Sequence, residues 1–173
     1  FKAVHDATSK PIIVYNIPPR AIVDVQSATL ARLAELPRIA GVKDATGDLA
    51  RPWTERQLIK KPFAWLSGED ATAVAYNIGG GQGCISVTAN VAPKLVAEVQ
   101  NLTLAGQWQA ARELQDKLIP LHQAMFAEPS PAGAKYAVSL LGFCSEECRL
   151  PVMPLSEATR TRIRDAMQAL NLL

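Results

Sequence analysis

Cysteine is scarce in this chain: Cys84, Cys144 and Cys148 are the only three among 173 residues, an odd number with no paired spacing on which a disulfide framework could rest. Histidine is scarcer still, and neither His5 nor His122 lies close enough in sequence to the cysteines to complete a metal-ligand spacing. The thiols are therefore expected as buried or surface groups in a reducing compartment, with no metal. No apolar run approaches the roughly 18 residues of a membrane span, and no signal-peptide pattern opens the chain. An excess of one charge is missing too: 18 Lys and Arg face 16 Asp and Glu, a net charge of +2, with no basic run long enough to follow a phosphate backbone. Disulfide scaffolds, membrane spans and nucleic-acid partners are thus set aside, and a soluble cytoplasmic protein is the simplest expectation. An initial methionine is also lacking. Phe1-Lys2-Ala3-Val4-His5 reads as the tail of a helix already under way, so a preceding segment is expected.

What is present is an ordinary globular composition, 49% hydrophobic and 20% charged, with enough length for a real core. Four short apolar runs of strand formers recur along the first half: Pro11 to Asn16, Ile39 to Lys43, Phe63 to Ser67, and Cys84 to Val87. A helical pattern separates each from the next. Leu30, Leu33, Ala34 and Leu36 share one side of a segment that Pro37 stops. Arg51 to Lys61 forms another, with Trp53, Gln57 and Leu58 expected inward. Ala71 to Ile78 forms the third. Such alternation predicts parallel βα units, with the strands packed on both faces. Pro18-Pro19 after the first run predicts an extended loop. Gly79 to Gly83 lies between helix and strand, the reverse of a phosphate-binding loop, and is read as a tight turn. Beyond Val87 only helices are expected: Val91 to Ala105 capped by Asn90, Gln107 to Phe126, one begun by Ser130 as cap with Pro131 at the first helical position, and one capped by Ser156. The chain divides on this reading into residues 1–90, the βα series, and 91–173, the helical remainder.

Parallel βα folds gather their chemistry at the C-terminal ends of the strands, and here those ends carry Tyr15-Asn16, Lys43, Ser67-Gly68-Glu69-Asp70 and Ile85-Ser86. Lys43 closes a strand that should be buried, where an ammonium is costly unless it is paired or gives up its proton. A neutral amine is the nucleophile that condenses with a carbonyl carbon; the alternative is a lysine that extends to solvent from a strand end. Tyr15 on the neighbouring end supplies a hydroxyl for the proton transfers of such a condensation, or else is a strand tyrosine bonded to backbone. Arg20, beyond the two prolines, is placed to hold a carboxylate through two parallel hydrogen bonds, or is simply solvated.

Taken together, Tyr15-Asn16-Ile17-Pro18-Pro19-Arg20, Gly41-Val42-Lys43-Asp44-Ala45-Thr46-Gly47, Ser67-Gly68-Glu69-Asp70 and Gly83-Cys84-Ile85-Ser86-Val87-Thr88-Ala89-Asn90 resemble, in order and spacing, the second half of the dihydrodipicolinate synthase family. The likeness extends from Pro11 to the C-terminus. It implies an α/β fold, the C-terminal half of a TIM (β/α)8 barrel made of the last four βα units, followed by a C-terminal helical region. It also implies a lyase that condenses pyruvate with L-aspartate 4-semialdehyde to 4-hydroxy-tetrahydrodipicolinate in lysine and diaminopimelate biosynthesis, without metal or organic cofactor. By the same resemblance Lys43 forms a Schiff base with pyruvate, Tyr15 relays protons, Arg20 anchors the semialdehyde carboxylate, Ile85 makes a backbone contact to pyruvate, and the whole enzyme is a homotetramer. The superfamily also holds N-acetylneuraminate lyase and 2-keto-3-deoxy sugar acid aldolases, which share the tyrosine and lysine; Arg20 favours the synthase. Pro19, Ala21 and Asp44 depart from residues common in the family. A barrel of this kind needs about 250 residues, so the first-half motifs have no counterpart here. The competing expectation is a catalytically incomplete half-barrel whose open strand edges self-associate.

Overall fold

Burial alternates along the first strand, β1 (Ile12–Asn16): Val14 and Asn16 are buried, whereas Ile13 and Tyr15 point to an exposed side. The second strand, β2 (Ile39–Asp44), buries Val42 and Asp44, and the third, β3 (Ala64–Ser67), buries Trp65 and Ser67. These are the residues of one sheet face, because successive side chains on a strand point to opposite sides. All strand pairs are parallel in the order β1-β2-β3; Val14 lies opposite Val42 and Val42 opposite Trp65, while Tyr15 lies opposite Lys43 and Lys43 opposite Leu66.

The structure is a computed structural model that describes all 173 residues, and it divides into two compact units, Phe1–Ile85 and Ser86–Leu173. In the first unit the buried sheet face meets Leu30 and Ala34 of α3 (Ser27–Ala34), together with Ile59, Phe63 and Tyr76, with Leu33 and Leu36 half-buried at the margin. The rings of Phe63 and Trp65 meet at 4.9 Å and 58°, a tilted contact favoured by the quadrupoles of the two rings. The first unit also contains α1 (Lys2–Asp6), α2 (Pro18–Ala21), α4 (Arg51–Leu58) and α5 (Ala73–Ile78), the last entered through a 3₁₀ turn at Asp70–Thr72. No helix is long and apolar enough to cross a membrane.

Several local expectations change. Strands packed on both faces are not found within Phe1–Ile85, where Ile13 and Tyr15 remain exposed. The fourth run makes a single parallel bridge, Ser67 to Cys84, rather than a strand. Its backbone bonds continue the ladder, from Gln82 N–H to the Trp65 carbonyl, Ser67 N–H to Gly83 and Ile85 N–H to Ser67. Pairing extends no further because the chain then turns, with Ser86 Oγ accepting from Ala89 N–H at 2.9 Å. The predicted loop at Pro18-Pro19 is one helical turn, since proline's fixed φ suits the first helical positions. On α4 the inward face is inverted: Arg51, Pro52 and Glu55 are buried while Trp53, Gln57 and Leu58 are exposed. A buried ion pair one turn apart occupies the position that apolar periodicity assigned to the tryptophan and leucine.

The second unit is helical. It comprises α6 (Pro93–Leu104), α7 (Trp108–Met125), α8 (Ala132–Leu140) and α9 (Glu157–Ala169), with a 3₁₀ turn at Thr88–Asn90 before them. Leu121, Ala124 and Met125 of α7 pack with Tyr136 and Ala137 of α8 and with Ile163 and Met167 of α9. A Cβ added at Gly133 would stand 2.5 Å from the Met125 carbonyl oxygen, so α8 approaches α7 this closely only with glycine there. Ser156 caps α9 as expected, accepting from Thr159 N–H. Asn90 does not cap α6, being spent in the 3₁₀ turn, and Pro131 stands at the N-cap of α8 after a cis Ser130–Pro131 bond rather than within its first turn.

Candidate active site

The exposed face of the sheet carries the strand-end residues singled out above. Tyr15 and Lys43 are register partners on β1 and β2, so their side chains rise side by side from the same face. The Lys43 Nζ lies 4.0 Å from the centroid of the Tyr15 ring, a distance at which a cation is attracted to the ring's negative face. On its other flank the lysine chain passes Gly68: a Cβ there would sit 3.2 Å from Lys43 Cε, 2.9 Å from Ala45 Cβ and 3.1 Å from the Asp44 carbonyl oxygen. Gly68 N–H also donates to that carbonyl at 2.6 Å. The amine is thus directed by an aromatic ring and by a loop that only glycine allows so close, and the half-exposed Tyr15 keeps its ring open to an incoming molecule.

Ile85 adjoins this region through β3. Its N–H is committed to the Ser67 carbonyl at 2.8 Å, so a backbone contact from Ile85 to a ligand falls to its carbonyl oxygen. The preceding residue, Cys84, carries a thiol that burial, with Asp70 next in effect, pushes up to about 12; it is a neutral group and no nucleophile at ordinary pH. Arg20 is exposed on α2, where its N–H closes the turn onto the Ile17 carbonyl. Arg20 has no protein anion paired with its guanidinium.

On the buried face of the same strand ends lies a polar cluster that the sequence did not disclose. Arg51 donates to both oxygens of Asp24, at 3.0 and 3.1 Å, to Glu55 at 3.1 Å and to the Val25 carbonyl. Its Nε stands 3.8 Å from Asp44 Oδ2. Asn16, wholly buried on β1, donates to Asp24 at 2.8 Å and accepts from Val25 N–H at 3.1 Å. Burial raises the carboxyls of Asp44 and Glu55 above their ordinary values, against the pull of Arg51. Burial opposes the charge on Arg51, and Glu55, Asp24 and Asp44 outweigh it, holding the guanidinium above its usual range. Asp24, Arg51 and Glu55 lie too far apart along the chain to form a motif; the one local signal is the spacing of Arg51 and Glu55, one helical turn. No group of three or more His, Cys, Asp or Glu is arranged to hold a metal ion.

Residues 1–170 match the model of the Dihydrodipicolinate synthetase family. The 4-hydroxy-tetrahydrodipicolinate synthase of Acidiphilium cryptum is 56% identical over 173 residues, 100% of this chain and 59% of that protein. The same enzyme of Ruegeria pomeroyi is 56% identical, with 100% and 60% covered. The chain therefore spans about three fifths of the length of these relatives. Among solved structures, the dihydrodipicolinate synthase of Thermotoga maritima superposes with a TM-score of 0.95 at 36% identity, over 99% of this chain and 60% of that one. The chloride-inhibited synthase of Acinetobacter baumannii complexed with pyruvate gives 0.94 at 39% identity, over 99% and 59%. A family model running through nearly the whole chain, and solved folds that superpose across it, agree on one assignment: the chain belongs to the dihydrodipicolinate synthetase family.

Proposed function

We propose that this chain is the lysine-bearing part of a 4-hydroxy-tetrahydrodipicolinate synthase, the C-terminal half of a (β/α)8 barrel, and that the protein carrying it condenses pyruvate with L-aspartate 4-semialdehyde. The observation that carries the reading is the Lys43 amine directed over the Tyr15 ring at the C-terminal ends of parallel strands, where such folds place their chemistry. The pyruvate bound to the Acinetobacter baumannii relative supports the first substrate.

Lys43, as the free amine, adds through Nζ to the ketone carbon of pyruvate. The carbonyl oxygen takes one proton from that nitrogen and a second from an acid and leaves as water, giving a protonated imine. That imine accepts the electron pair released when the adjacent methyl group loses a proton, and an enamine results. The enamine carbon then attacks the aldehyde carbon of the semialdehyde, whose oxygen takes a proton. The semialdehyde's own amino group displaces Lys43 at the imine carbon, which closes the ring and returns the amine. Because the protonated imine is the electron sink, the scheme needs no metal or organic cofactor. Tyr15 carries protons between the carbinolamine, the aldehyde oxygen and solvent. Arg20 holds the semialdehyde carboxylate through its planar fork, and the Ile85 carbonyl contacts pyruvate.

The test is intact mass of the protein before and after incubation with pyruvate and borohydride. The expected product has gained one pyruvate less one water plus two hydrogens, on Lys43, and Lys43→Ala gains nothing. An unmodified wild-type protein, or an adduct that survives in Lys43→Ala, overturns the assignment.

A further inference from the structure

Arg20 sits midway along the excursion from Asn16 to Asp24, and little of that excursion is held by anything but its own ends. Its helical turn is closed internally, Ala21 N–H to the Ile17 carbonyl and Ile22 N–H to Pro18. Ile22 then adopts a left-handed φ of 64° and, like Val23, is exposed, at 86% and 70%. The two ends, by contrast, are locked together. Asn16 reaches across to Asp24, to the Val25 carbonyl at 3.3 Å and to the Val25 amide. Arg51 donates from Nη1 to both Asp24 oxygens and from Nη2 to the Val25 carbonyl. Arg51 is itself fixed from its own helix by Glu55. Gln26 completes the anchor by donating to Asp24 Oδ2 at 2.6 Å.

We propose that Arg51, acting through Asp24 and Val25, is a positioning residue for the loop that carries Arg20 and so sets how well the second substrate's carboxylate is bound. The inference rests on the reading of Arg20 given under Proposed function. A planar five-donor fork suits this task, since it fixes two carboxylate oxygens and a carbonyl in one orientation. Lysine keeps the charge but cannot hold three acceptors in that plane. Loosening the clasp leaves Lys43 and Tyr15 in register, because the β1–β2 pairing is made by backbone and Arg51 approaches β2 only at the Asp44 carboxylate, 3.8 Å away. The effect is therefore selective for the partner held by Arg20.

The experiment compares wild type, Arg51→Lys, Asp24→Asn, Arg20→Ala and the double variant Arg51→Lys/Arg20→Ala in the purified protein. In Arg51→Lys we expect the KM for the semialdehyde to rise about ten-fold, with the KM for pyruvate and the rate of pyruvate-borohydride adduct formation unchanged. In the Arg20→Ala background the same change should add almost nothing, because the two residues act on one contact. Asp24→Asn, which preserves volume, should reproduce the split if Arg51→Lys folds poorly. A parallel rise in both KM values, or full additivity with Arg20→Ala, overturns the proposal. Hydrogen exchange reads the clasp without catalysis: the Val25 amide should lose protection in Arg51→Lys while the β2 amides keep theirs, and unchanged exchange at Val25 overturns it. Failure of the wild type to form the pyruvate adduct defeats the proposed function instead, and the exchange result then stands on its own.

Discussion

Tyr15 and Lys43 meet because parallel register puts them opposite each other, and the 4.0 Å approach of amine to ring follows from that pairing. The positions of both at strand ends were legible in the sequence, as were those of Arg20 and Ile85 just beyond one, while the roles of all four are those proposed above. Tyr15→Phe retains the ring beside the amine but removes the hydroxyl to which we assign the relay, so the fold should persist and turnover should fall by about 10²-fold; steady-state kinetics with near-normal turnover would exclude the relay. Gly68 is a different case. Its place in the sequence marks only the end of a strand, and its need for glycine emerges from the approach of Ala45, the Asp44 carbonyl and Lys43 Cε. Gly68→Ala should cost about 1–3 kcal/mol through overpacking and slow adduct formation by displacing the lysine chain. Thermal melting and the time course of borohydride trapping check the two effects separately.

Among the elements, the helix capped by Ser156 and the first three apolar runs stand where the sequence puts them, whereas the caps expected of Asn90 and Ser130, the face of α4 and the short turns do not. α9 begins where Ser156 stands, because the serine oxygen satisfies an otherwise unpaired amide and its hydroxyl also donates to Glu128 at 2.6 Å. Ser156→Ala should therefore lower stability by about 1 kcal/mol, read as a shift in the denaturation midpoint of the helical unit. The inward face of α4 was misread because periodicity counts apolar residues, and Arg51 with Glu55 is a polar pair that burial tolerates only through its partners. Those partners are Asp44 at the end of β2 and, farther off in sequence, Asp24 and Val25 in the loop after β1. The short fourth pairing at Cys84 was overcounted for a related reason: its apolar run has the composition of a strand, but the Ser86 turn ends the ladder after one bridge.

For the molecule as a whole, the buried carboxyls make stability a function of pH. Glu55 and Asp44 are raised from ordinary values of 4.5 and 3.8 by burial first of all. A folded state that keeps these protons longer than the unfolded chain has their full stabilising contribution below those ordinary values. It loses that contribution as pH rises through the folded values, and the loss then levels off. Glu55→Gln removes one such group while leaving an acceptor for Arg51. Relative to wild type, the variant should gain stability as pH climbs from 4.5 upward, measured as urea midpoints across a pH series. A difference that stays constant over the series would mean that Glu55 titrates alike in both states.

The sequence by itself determined the parallel βα order, the helical second half, and which residues stand at the strand ends, because these depend on local periodicity, on breakers and on caps that act within a few residues. Only the tertiary structure decided what lies beside those residues. The ring over which Lys43 extends, the glycine that admits it, and the clasp of Asn16, Asp24 and Arg51 beneath the Arg20 loop are contacts between residues separated by up to 28 positions, from Tyr15 to Lys43. No local preference encodes such contacts. They form when the strands align and the buried polar groups find partners in place of water.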